Sequence, residues 1–207
     1  MSATDDPLGP RHVSRETRAR LESYVALLLK WNSAINLIGK TTADAVWSRH
    51  ILDSLQILDL TDIRSGHWAD LGSGAGLPGL VLAIVAAEER PDLTFTLVES
   101  DARKAAFLMT AARTCGVAPR IVADRIEKVA PLGADILSAR ALAPLPALLG
   151  FAERHLLPDG TALFPKGANW RQEVDAALES WRFSYQNHPS VTDPGSVILS
   201  IRGLSRV

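Results

Sequence analysis

The chain has 207 residues, of which 47% are hydrophobic and 22% are charged, and its formal net charge is −1. This composition is typical of a soluble globular protein with one domain, with or without a small extension. No apolar run reaches the ~18 residues that a membrane span needs, and the first residues lack the basic and apolar regions of a secretion signal. The single cysteine, Cys115, excludes an intramolecular disulfide and a cysteine zinc cluster. We therefore expect a cytoplasmic protein without membrane contact and without a metal.

The N-terminal part is predicted to form a small helical unit after a lead-in over residues 1–12. Ser14 is a suitable N-cap for the first helix. Residues 32–39 are expected to connect this helix to a second one over residues 44–58. The apolar residues of the first helix follow the spacing of an amphipathic helix: Leu21, Tyr24, Val25, Leu28 and Leu29.

This N-terminal part is basic, although the whole chain is nearly neutral. Residues 11–50 contain seven lysines and arginines against three acidic residues. A basic segment of this kind can contact the phosphates of a nucleic acid, and Arg15, Arg18 and Arg20 are the candidates for that contact. A solvated, arginine-rich helix face explains the same charges equally well.

Residues 67–79, with the sequence HWADLGSGAGLPG, are the most informative segment of the chain. A short apolar run leads into four glycines, and an apolar helical segment follows. Glycines allow positive φ angles and let a ligand approach the main chain closely, while the start of the helix offers free N–H groups to a polar or anionic ligand. The spacing Gly72-x-Gly74-x-Gly76 resembles the S-adenosylmethionine loop of Rossmann-like methyltransferases. The spacing Gly74-x-Gly76-x-x-Gly79 also matches the dinucleotide fingerprint.

After the glycine motif, strand and helix patterns alternate, which predicts a parallel sheet covered by helices on both faces. The predicted strands are Trp68–Leu71, Thr94–Glu99, Arg120–Asp124, Ile136–Ala139 and Thr161–Phe164. The predicted helices are Leu80–Glu89, Ala102–Thr114, Arg125–Val129, Leu145–His155 and Trp170–Glu179. The tail instead predicts two strands joined by a loop, Trp181–Gln186 and Val197–Arg202.

This order predicts an α/β fold. A Rossmann-like methyltransferase domain over residues 63–207, with a C-terminal antiparallel strand pair, would follow a tail and helical cap over residues 1–62. A nicotinamide-binding domain would more often continue with a second strand–helix–strand half.

Three acidic or apolar residues at strand ends are candidates for holding a nucleoside. Glu99 ends the second predicted strand, where a carboxylate can accept hydrogen bonds from both ribose hydroxyls and would repel the 2′-phosphate of NADP. Ile126 and Glu127 follow the third strand, at the sheet edge that lies near the adenine in methyltransferases.

Two basic residues follow later strands, and strand ends in an open α/β sheet face the ligand crevice. Arg140 follows the fourth strand and can pair with a carboxylate through its planar fork. Lys166 follows the fifth strand, where it would meet a phosphate or be solvated. His50 and Asp53 lie three apart on one helix face, where they would form a buried buttress or line a substrate cleft.

The sequence also limits the chemistry. The fourth strand is not followed by the Asn/Asp-Pro-Pro-aromatic turn that serves methylation of exocyclic amines. Cys115 lies at a predicted helix end, so a cysteine adduct on a base carbon is not expected. Guanine N7 offers a lone pair that needs no deprotonation, so a site without a general base is sufficient. Arg140 and Lys166 would then act by positioning.

Eight segments carry a family resemblance: KWN at 30–32, INL at 35–37, RHILDSL at 49–55, DLGSGAGLPG at 70–79, LVES at 97–100, RK at 103–104, SARA at 138–141 and PKG at 165–167. Taken in chain order, they resemble the bacterial ribosomal RNA small-subunit methyltransferase G family from about residue 21 to residue 202. The resemblance implies S-adenosylmethionine-dependent methylation of N7 of a guanine in 16S rRNA, in the decoding-region hairpin of the small ribosomal subunit. It also implies that Gly72, Leu77, Ile126, Glu127 and Arg140 bind the cofactor.

Two other classes of protein stay open at this point. One is an NAD-binding oxidoreductase, and the other is a non-catalytic RNA-binding or ribosome-assembly factor with a vestigial pocket. Titration with S-adenosylmethionine and with NAD would separate the three. We expect a monomer that uses 16S rRNA or the small subunit as its partner.

Overall fold

A seven-stranded sheet holds the glycine-rich segment at the end of its first strand. The computed structural model describes residue 8 and residues 11–207, so most of the predicted lead-in over residues 1–12 lies outside the described residues. The strands are β1 (Ser65–Leu71), β2 (Asp92–Val98), β3 (Arg120–Val122), β4 (Ala134–Ser138), β5 (Leu156–Lys166), β6 (Trp181–Pro189) and β7 (Val197–Arg206). The α-helices are α1 (Arg15–Ile35), α2 (Asp53–Leu58), α3 (Gly79–Glu89), α4 (Ala102–Thr114), α5 (Leu145–His155) and α6 (Trp170–Leu178).

The strand order is β3-β2-β1-β4-β5-β7-β6. Strands β1 to β5 run parallel, and β7 runs antiparallel to both β5 and β6. The predicted α/β sheet and its C-terminal antiparallel pair are therefore confirmed. Since the chain moves from β1 outward to β2 and β3 and then returns to β4, the carboxyl ends of β1 and β4 flank a topological switch point, where ligands of open α/β sheets bind.

The N-terminal helices share one hydrophobic core with the sheet. Helix α3 is apolar on every side and is buried from Gly79 to Ala86, which requires cover on both of its faces. The sheet covers one face, and α1 and α2 pack against the other. The hydroxyl of Tyr24 on α1 donates a hydrogen bond of 2.6 Å to the carbonyl of Ala75 in the glycine-rich loop. The opposite face of the sheet is covered by α5 and α6 around a second core.

The connector predicted over residues 32–39 begins later than expected, because α1 continues to Ile35. Asn36 then ends the helix in the left-handed conformation, with φ of 44°. The side-chain oxygen of Asn32 accepts hydrogen bonds from the amides of Leu37 and Ile38, at 2.7 and 2.9 Å. These bonds fix the turn that ends α1.

The second predicted helix, over residues 44–58, is helical but not one α-helix. It consists of a 3₁₀ segment (Lys40–Ala45), a π-helical segment (Trp47–Leu52) and α2. The periodicity of 3.6 residues does not distinguish these helix types, whereas a π turn rotates the side chains that follow it. Insertions of this kind occur often at functional sites.

Other boundaries also differ from the prediction. The helix predicted over Arg125–Val129 is a single 3₁₀ turn, Ile126–Lys128, because both flanking residues are extended. Strands β1 and β5 begin earlier than predicted, at Ser65 and Leu156, in stretches that are mostly exposed and lack an apolar pattern. In the part of the chain that the structure describes, no helix has the length and apolarity to cross a bilayer.

Candidate active site

The glycine-rich loop follows β1 and needs its glycines for two reasons. Gly72, Gly74 and Gly76 have φ angles of +65°, +55° and +87°, which residues with a Cβ rarely adopt. A Cβ at Gly72 would also lie 2.6 Å from Cδ1 of Leu142, and a Cβ at Gly76 would lie 2.6 Å from Cβ of Leu80. Gly72 thus admits the loop after β4, whereas Gly76 lets the turn close onto the core.

Asp70, at the end of β1, occupies the position where free helix N–H groups were expected to meet a ligand. Its Oδ2 accepts from the amide of Gly79 at 3.2 Å, and the next two amides of α3 donate to the carbonyl of Gly76. That expectation is therefore wrong for α3. Asp70 is buried, which raises the pKa of its carboxyl to about 6. Ser138 on β4 donates to Oδ1 at 2.6 Å, and Trp68 donates to Ser138.

Two cavities meet at this edge of the sheet. The smaller has a volume of about 420 Å³ and the larger about 830 Å³. Gly72, Gly74, Lys104 and Arg140 line both of them, together with the loop over residues 141–143. A molecule in one cavity would therefore lie next to a molecule in the other.

In the smaller cavity, Glu99 lies where the sequence predicted a nucleoside-binding acid. Its Oε2 accepts from the amide of Gly74 at 2.8 Å, and its Oε1 accepts from the amide of Asp101 at 2.7 Å. Each carboxylate oxygen can accept a further hydrogen bond, so Glu99 can fix the loop and still face a ligand. Ile126 and Glu127 also line this cavity.

In the larger cavity, Arg140 bridges two residues of the N-terminal helical segment. Its Nη1 donates to Oδ2 of Asp53 at 3.1 Å, and its Nη2 lies 3.4 Å from Nδ1 of His50. The side chains of Arg140 and Asp53 are only 18% and 19% exposed. His50 and Asp53 thus line a cleft and also support its central cation. Leu77 lines this cavity as well.

The charge state of His50 follows from its surroundings. Burial, followed by the charge of Arg140, lowers the pKa of the His50 imidazole to about 4. Because a guanidinium can only donate, Nδ1 of the neutral ring accepts from Arg140 and Nε2 carries the proton. Nε2 then donates to Oγ1 of Thr42 at 2.9 Å, and Thr42 donates to the carbonyl of Gly39 at 2.9 Å.

Lys166 is buried and ion-paired rather than solvated. Its Nζ donates to Glu173 at 2.6 Å and to the carbonyl of Ala143 at 3.0 Å, and its side chain is 8% exposed. Glu173 also accepts from the amide of Leu145 at 2.7 Å. This pair fixes the loop between β4 and α5, in which Ala141 has a φ angle of +51°.

The predicted RNA contacts on α1 lie away from both cavities. Ser14 and Thr17 donate to Glu88 near the end of α3, and the glycine-rich loop lies at the start of that helix. Nine residues of α-helix span roughly 14 Å. Arg15, Arg18 and Arg20 line neither cavity, whereas Lys166 lines the larger one, so the structure does not bring them together with Lys166.

Sequence reasoning missed several residues of the larger cavity. Lys104 lies in the RK segment of the family resemblance, which predicts no role for it, and Thr192 lies in the predicted loop between the last two strands. Thr192 donates to Oδ1 of Asp53 at 2.7 Å across 139 positions of sequence, a contact without any local signal. Within residue 8 and residues 11–207, no group of three or more His, Cys, Asp or Glu side chains could hold a metal ion.

The strand order, the antiparallel last pair and the glycine turn beside an acid at the end of β2 define a Rossmann-like methyltransferase. A TehB-like SAM-dependent methyltransferase from Corynebacterium glutamicum has the same fold, with a TM-score of 0.56 at 15% identity, covering 89% of this chain and 98% of that one. The family model for rRNA small subunit methyltransferase G matches residues 17–198, and this chain belongs to that family.

Close relatives cover nearly the whole chain. Ribosomal RNA small subunit methyltransferase G of Ruegeria sp. (strain TM1040) is 55% identical over 195 residues, which are 94% of this chain and 95% of the relative. The protein of the same name from Paracoccus denitrificans (strain Pd 1222) is 51% identical over 193 residues, 93% of this chain and 97% of the relative. These findings favour the methyltransferase over the NAD-binding oxidoreductase and the non-catalytic RNA-binding factor.

Proposed function

We propose that this protein methylates N7 of a guanine in 16S rRNA, in the decoding-region hairpin of the small ribosomal subunit, with S-adenosylmethionine as the methyl donor. The observation that carries the proposal is the match to the rRNA small subunit methyltransferase G family over residues 17–198. The meeting of two cavities at Arg140 supports it, because methyl transfer needs a donor and an acceptor side by side.

The smaller cavity is the proposed cofactor site. Glu99 would accept from the ribose hydroxyls, and Ile126 and Glu127 would contact the adenine. Gly72 and Gly74 would face the methionine part, since both glycines line the junction of the cavities. When bound, the cofactor supplies an electrophilic methyl group on a sulfonium. Gly76 would act on the shape of the loop, and Leu77 and Arg140 would contact the cofactor from the side of the larger cavity.

The larger cavity is the proposed site of the target base. His50 is neutral and lies next to the cationic Arg140. It is a weak base, because a proton on its ring would place a second positive charge beside the guanidinium. Guanine N7 needs no deprotonation. The residues of this cavity would therefore contribute by orienting the base, since holding two substrates in the right geometry lowers the barrier to their reaction substantially. Arg140 and Lys166 would act by such positioning.

RNA would approach across the cap and the cavity mouth. Arg49 and Lys104 line the larger cavity, and Arg49 is 48% exposed. Arg15, Arg18 and Arg20 would form an outer contact with phosphates further along the RNA. We propose a monomer in the cytoplasm, with residues 1–62 as a cap on the methyltransferase domain of residues 63–207.

Labelled S-adenosylmethionine tests the reaction directly. Small subunits from a strain lacking this enzyme should take up label at one guanine N7, and base-specific cleavage would map it. Arg140→Ala should lower the rate about 100-fold, as expected for a lost positioning contact, and melt near the wild-type temperature. Arg206→Ala, which breaks an exposed ion pair with Glu153 elsewhere, should retain activity. Absence of label with the wild type, or label on another atom, would reject the proposal.

The RNA surface has its own test. Each phosphate contact contributes about −0.7 to −0.9 to the slope of log K against log salt. Reversing Arg15, Arg18 and Arg20 to Glu should flatten that slope and weaken RNA binding, without changing cofactor affinity. Reversal of Arg49 and Lys104 should affect both RNA binding and turnover. An unchanged slope in the first variant would confine the RNA contact to the cavity mouth.

A further inference from the structure

We propose that Asp53 is a positioning residue for methyl transfer, which acts by fixing the guanidinium of Arg140 at the junction of the two cavities. The inference rests on the proposed function for the identity of the reaction. It assigns a role to a carboxylate that the motifs alone left undecided between a buttress and a cleft residue.

The two oxygens of Asp53 have different partners. Oδ1 accepts from Oγ1 of Thr192 at 2.7 Å and from Nε2 of Gln56 at 2.8 Å. Oδ2 accepts from Nη1 of Arg140 at 3.1 Å. Because Oδ1 is held on one side by two donors, the carboxylate cannot rotate freely, and Oδ2 is kept pointing at Arg140.

The donors on Oδ1 are themselves fixed. The side-chain Oε1 of Gln56 accepts from the backbone amide of Val191 at 2.9 Å, so the side-chain Nε2 must face Asp53. The hydroxyl proton of Thr192 is used toward Asp53, so Ser190 donates to Thr192 across their 3.0 Å contact. The loop between β6 and β7 is thereby docked on α2. The donor and the acceptor of each of these hydrogen bonds around Asp53 are determined.

Arg140 is held from its second nitrogen as well. The ring of His50 accepts from Nη2 and is fixed through Thr42. Hydrogen bonds to both terminal nitrogens restrict the guanidinium before any substrate binds. Less conformational entropy is therefore lost when the guanidinium contacts a substrate. A misplaced guanidinium would change the alignment of donor and acceptor, to which transfer rates are steeply sensitive.

Asp53→Asn is the discriminating variant. An amide has one acceptor oxygen and one donor nitrogen, so it cannot accept from Arg140 on one side and from both Thr192 and Gln56 on the other. We expect the single-turnover rate at saturating cofactor to fall at least about tenfold. Glu153→Gln is the matched control, since Glu153 pairs with Arg206 at 2.8 Å outside both cavities, and it should leave the rate unchanged.

The role through Arg140 is tested by a double-mutant cycle, read by calorimetry with S-adenosylhomocysteine. Asp53→Asn should weaken this affinity about 2- to 12-fold, the effect of one hydrogen bond, when Arg140 is present, and should have no effect in Arg140→Ala. An equal loss in both backgrounds, or no loss in either, would overturn the inference. Should the wild type bind S-adenosylhomocysteine yet fail to methylate small subunits, the proposed function would fall while this cycle still decides the inference.

A milder variant guards against misfolding. Thr192→Val removes one donor from Oδ1 and leaves both Asp53 and Arg140 in place. Its single-turnover rate should fall by about 2- to 12-fold, with a melting temperature near that of the wild type. A wild-type rate in a folded Thr192→Val protein, together with a wild-type rate in Asp53→Asn, would show that the orientation of the carboxylate does not matter.

Discussion

The two cavities that meet at Arg140 are built in different ways. The smaller one is lined by successive strand ends of the sheet, and its central contact, from the amide of Gly74 to Glu99, spans only 25 positions of sequence. The larger one joins the N-terminal helical segment, the loop after β4 and the loop between β6 and β7. Its contacts at Asp53 span 87 and 139 positions. The geometry of the first therefore depends on the backbone, and that of the second depends on paired side chains.

Gly79→Ala should have the largest effect, and it acts at the end of the glycine-rich turn, whose geometry depends on the backbone. A Cβ there would lie 2.5 Å from Cδ2 of Leu97 and 2.6 Å from Cβ of Asp70. Because both neighbours are buried, overpacking should lower the free energy of unfolding by about 3 kcal/mol, measured by urea denaturation. Gly116→Ala is the control, since its φ of +66° costs about 1 kcal/mol but nothing lies within 4 Å of the added Cβ. Equal losses would contradict the steric argument.

Glu99→Ala should weaken cofactor binding while the protein stays folded. Loss of a charge-assisted hydrogen bond of about 1.5–3 kcal/mol corresponds to a roughly 10- to 150-fold higher Kd for S-adenosylmethionine. The loop amide of Gly74 also loses its acceptor, which acts in the same direction. Calorimetry on this variant and on the surface variant Glu153→Ala would measure the difference. An unchanged Kd in folded Glu99→Ala would remove Glu99 from the site.

His50 lines the larger cavity, whose geometry depends on paired side chains, and its protonation should make the stability of the protein depend on pH. The pKa of its imidazole is lowered to about 4 in the folded protein, against about 6.5 in an unfolded chain. As the pH falls from about 6.5 to about 4, the unfolded chain binds a proton that the folded one does not, so stability decreases. The melting temperature should therefore drop less between pH 7.5 and pH 5 in His50→Gln than in the wild type.

The same substitution tests the chemistry. Since His50 is neutral throughout pH 6 to 9, the pH profile of the single-turnover rate over this range should have the same shape in the wild type and in His50→Gln. A steep rise with one clear pKa in the wild type, abolished in His50→Gln, would show that His50 acts as a base. A parallel drop of both melting temperatures between pH 7.5 and pH 5 would show that His50 is not held neutral.

Cys115→Ser should have the smallest effect, because it touches neither cavity. The thiol is buried at the end of α4, where desolvation raises its pKa to about 11. We expect a wild-type rate of methyl transfer in Cys115→Ser and slow alkylation of the native thiol by iodoacetamide at pH 8. Rapid alkylation without unfolding, or a lost rate in the serine variant, would assign the thiol a role that its position does not suggest.

The contrast also explains how far sequence predicts this molecule. The strand–glycine–helix unit and the acid at Glu99 are local patterns, and the structure places them as the spacing suggested. The partner of Lys166 was in reach too, because Glu173 lies only seven positions further along the chain, in the first turn of a predicted helix. The pairing of Arg140 with Asp53 was not, since the sequence offered Arg140 several possible carboxylates and no rule for choosing among them.

Helix type was a second blind spot. The sequence predicted a helix over residues 44–58 correctly, but the π-helical segment Trp47–Leu52 within it changes the direction of the polar side chains. The directions in which the side chains of His50 and Arg49 point depend on this wider helical turn. These directions are decided by the packing of the N-terminal helical segment against the loop after β4 and the loop between β6 and β7.

The bond from Tyr24 to Ala75 has a spectroscopic consequence. The chain has two tyrosines, of which Tyr24 is fully buried and Tyr185 is 40% exposed. Burial raises the pKa of the Tyr24 hydroxyl above its ordinary range. At alkaline pH the phenolate of Tyr24 should therefore appear in the ultraviolet absorbance only as α1 detaches from the loop. A stopped-flow pH jump would thus time the release of the N-terminal helix without any label.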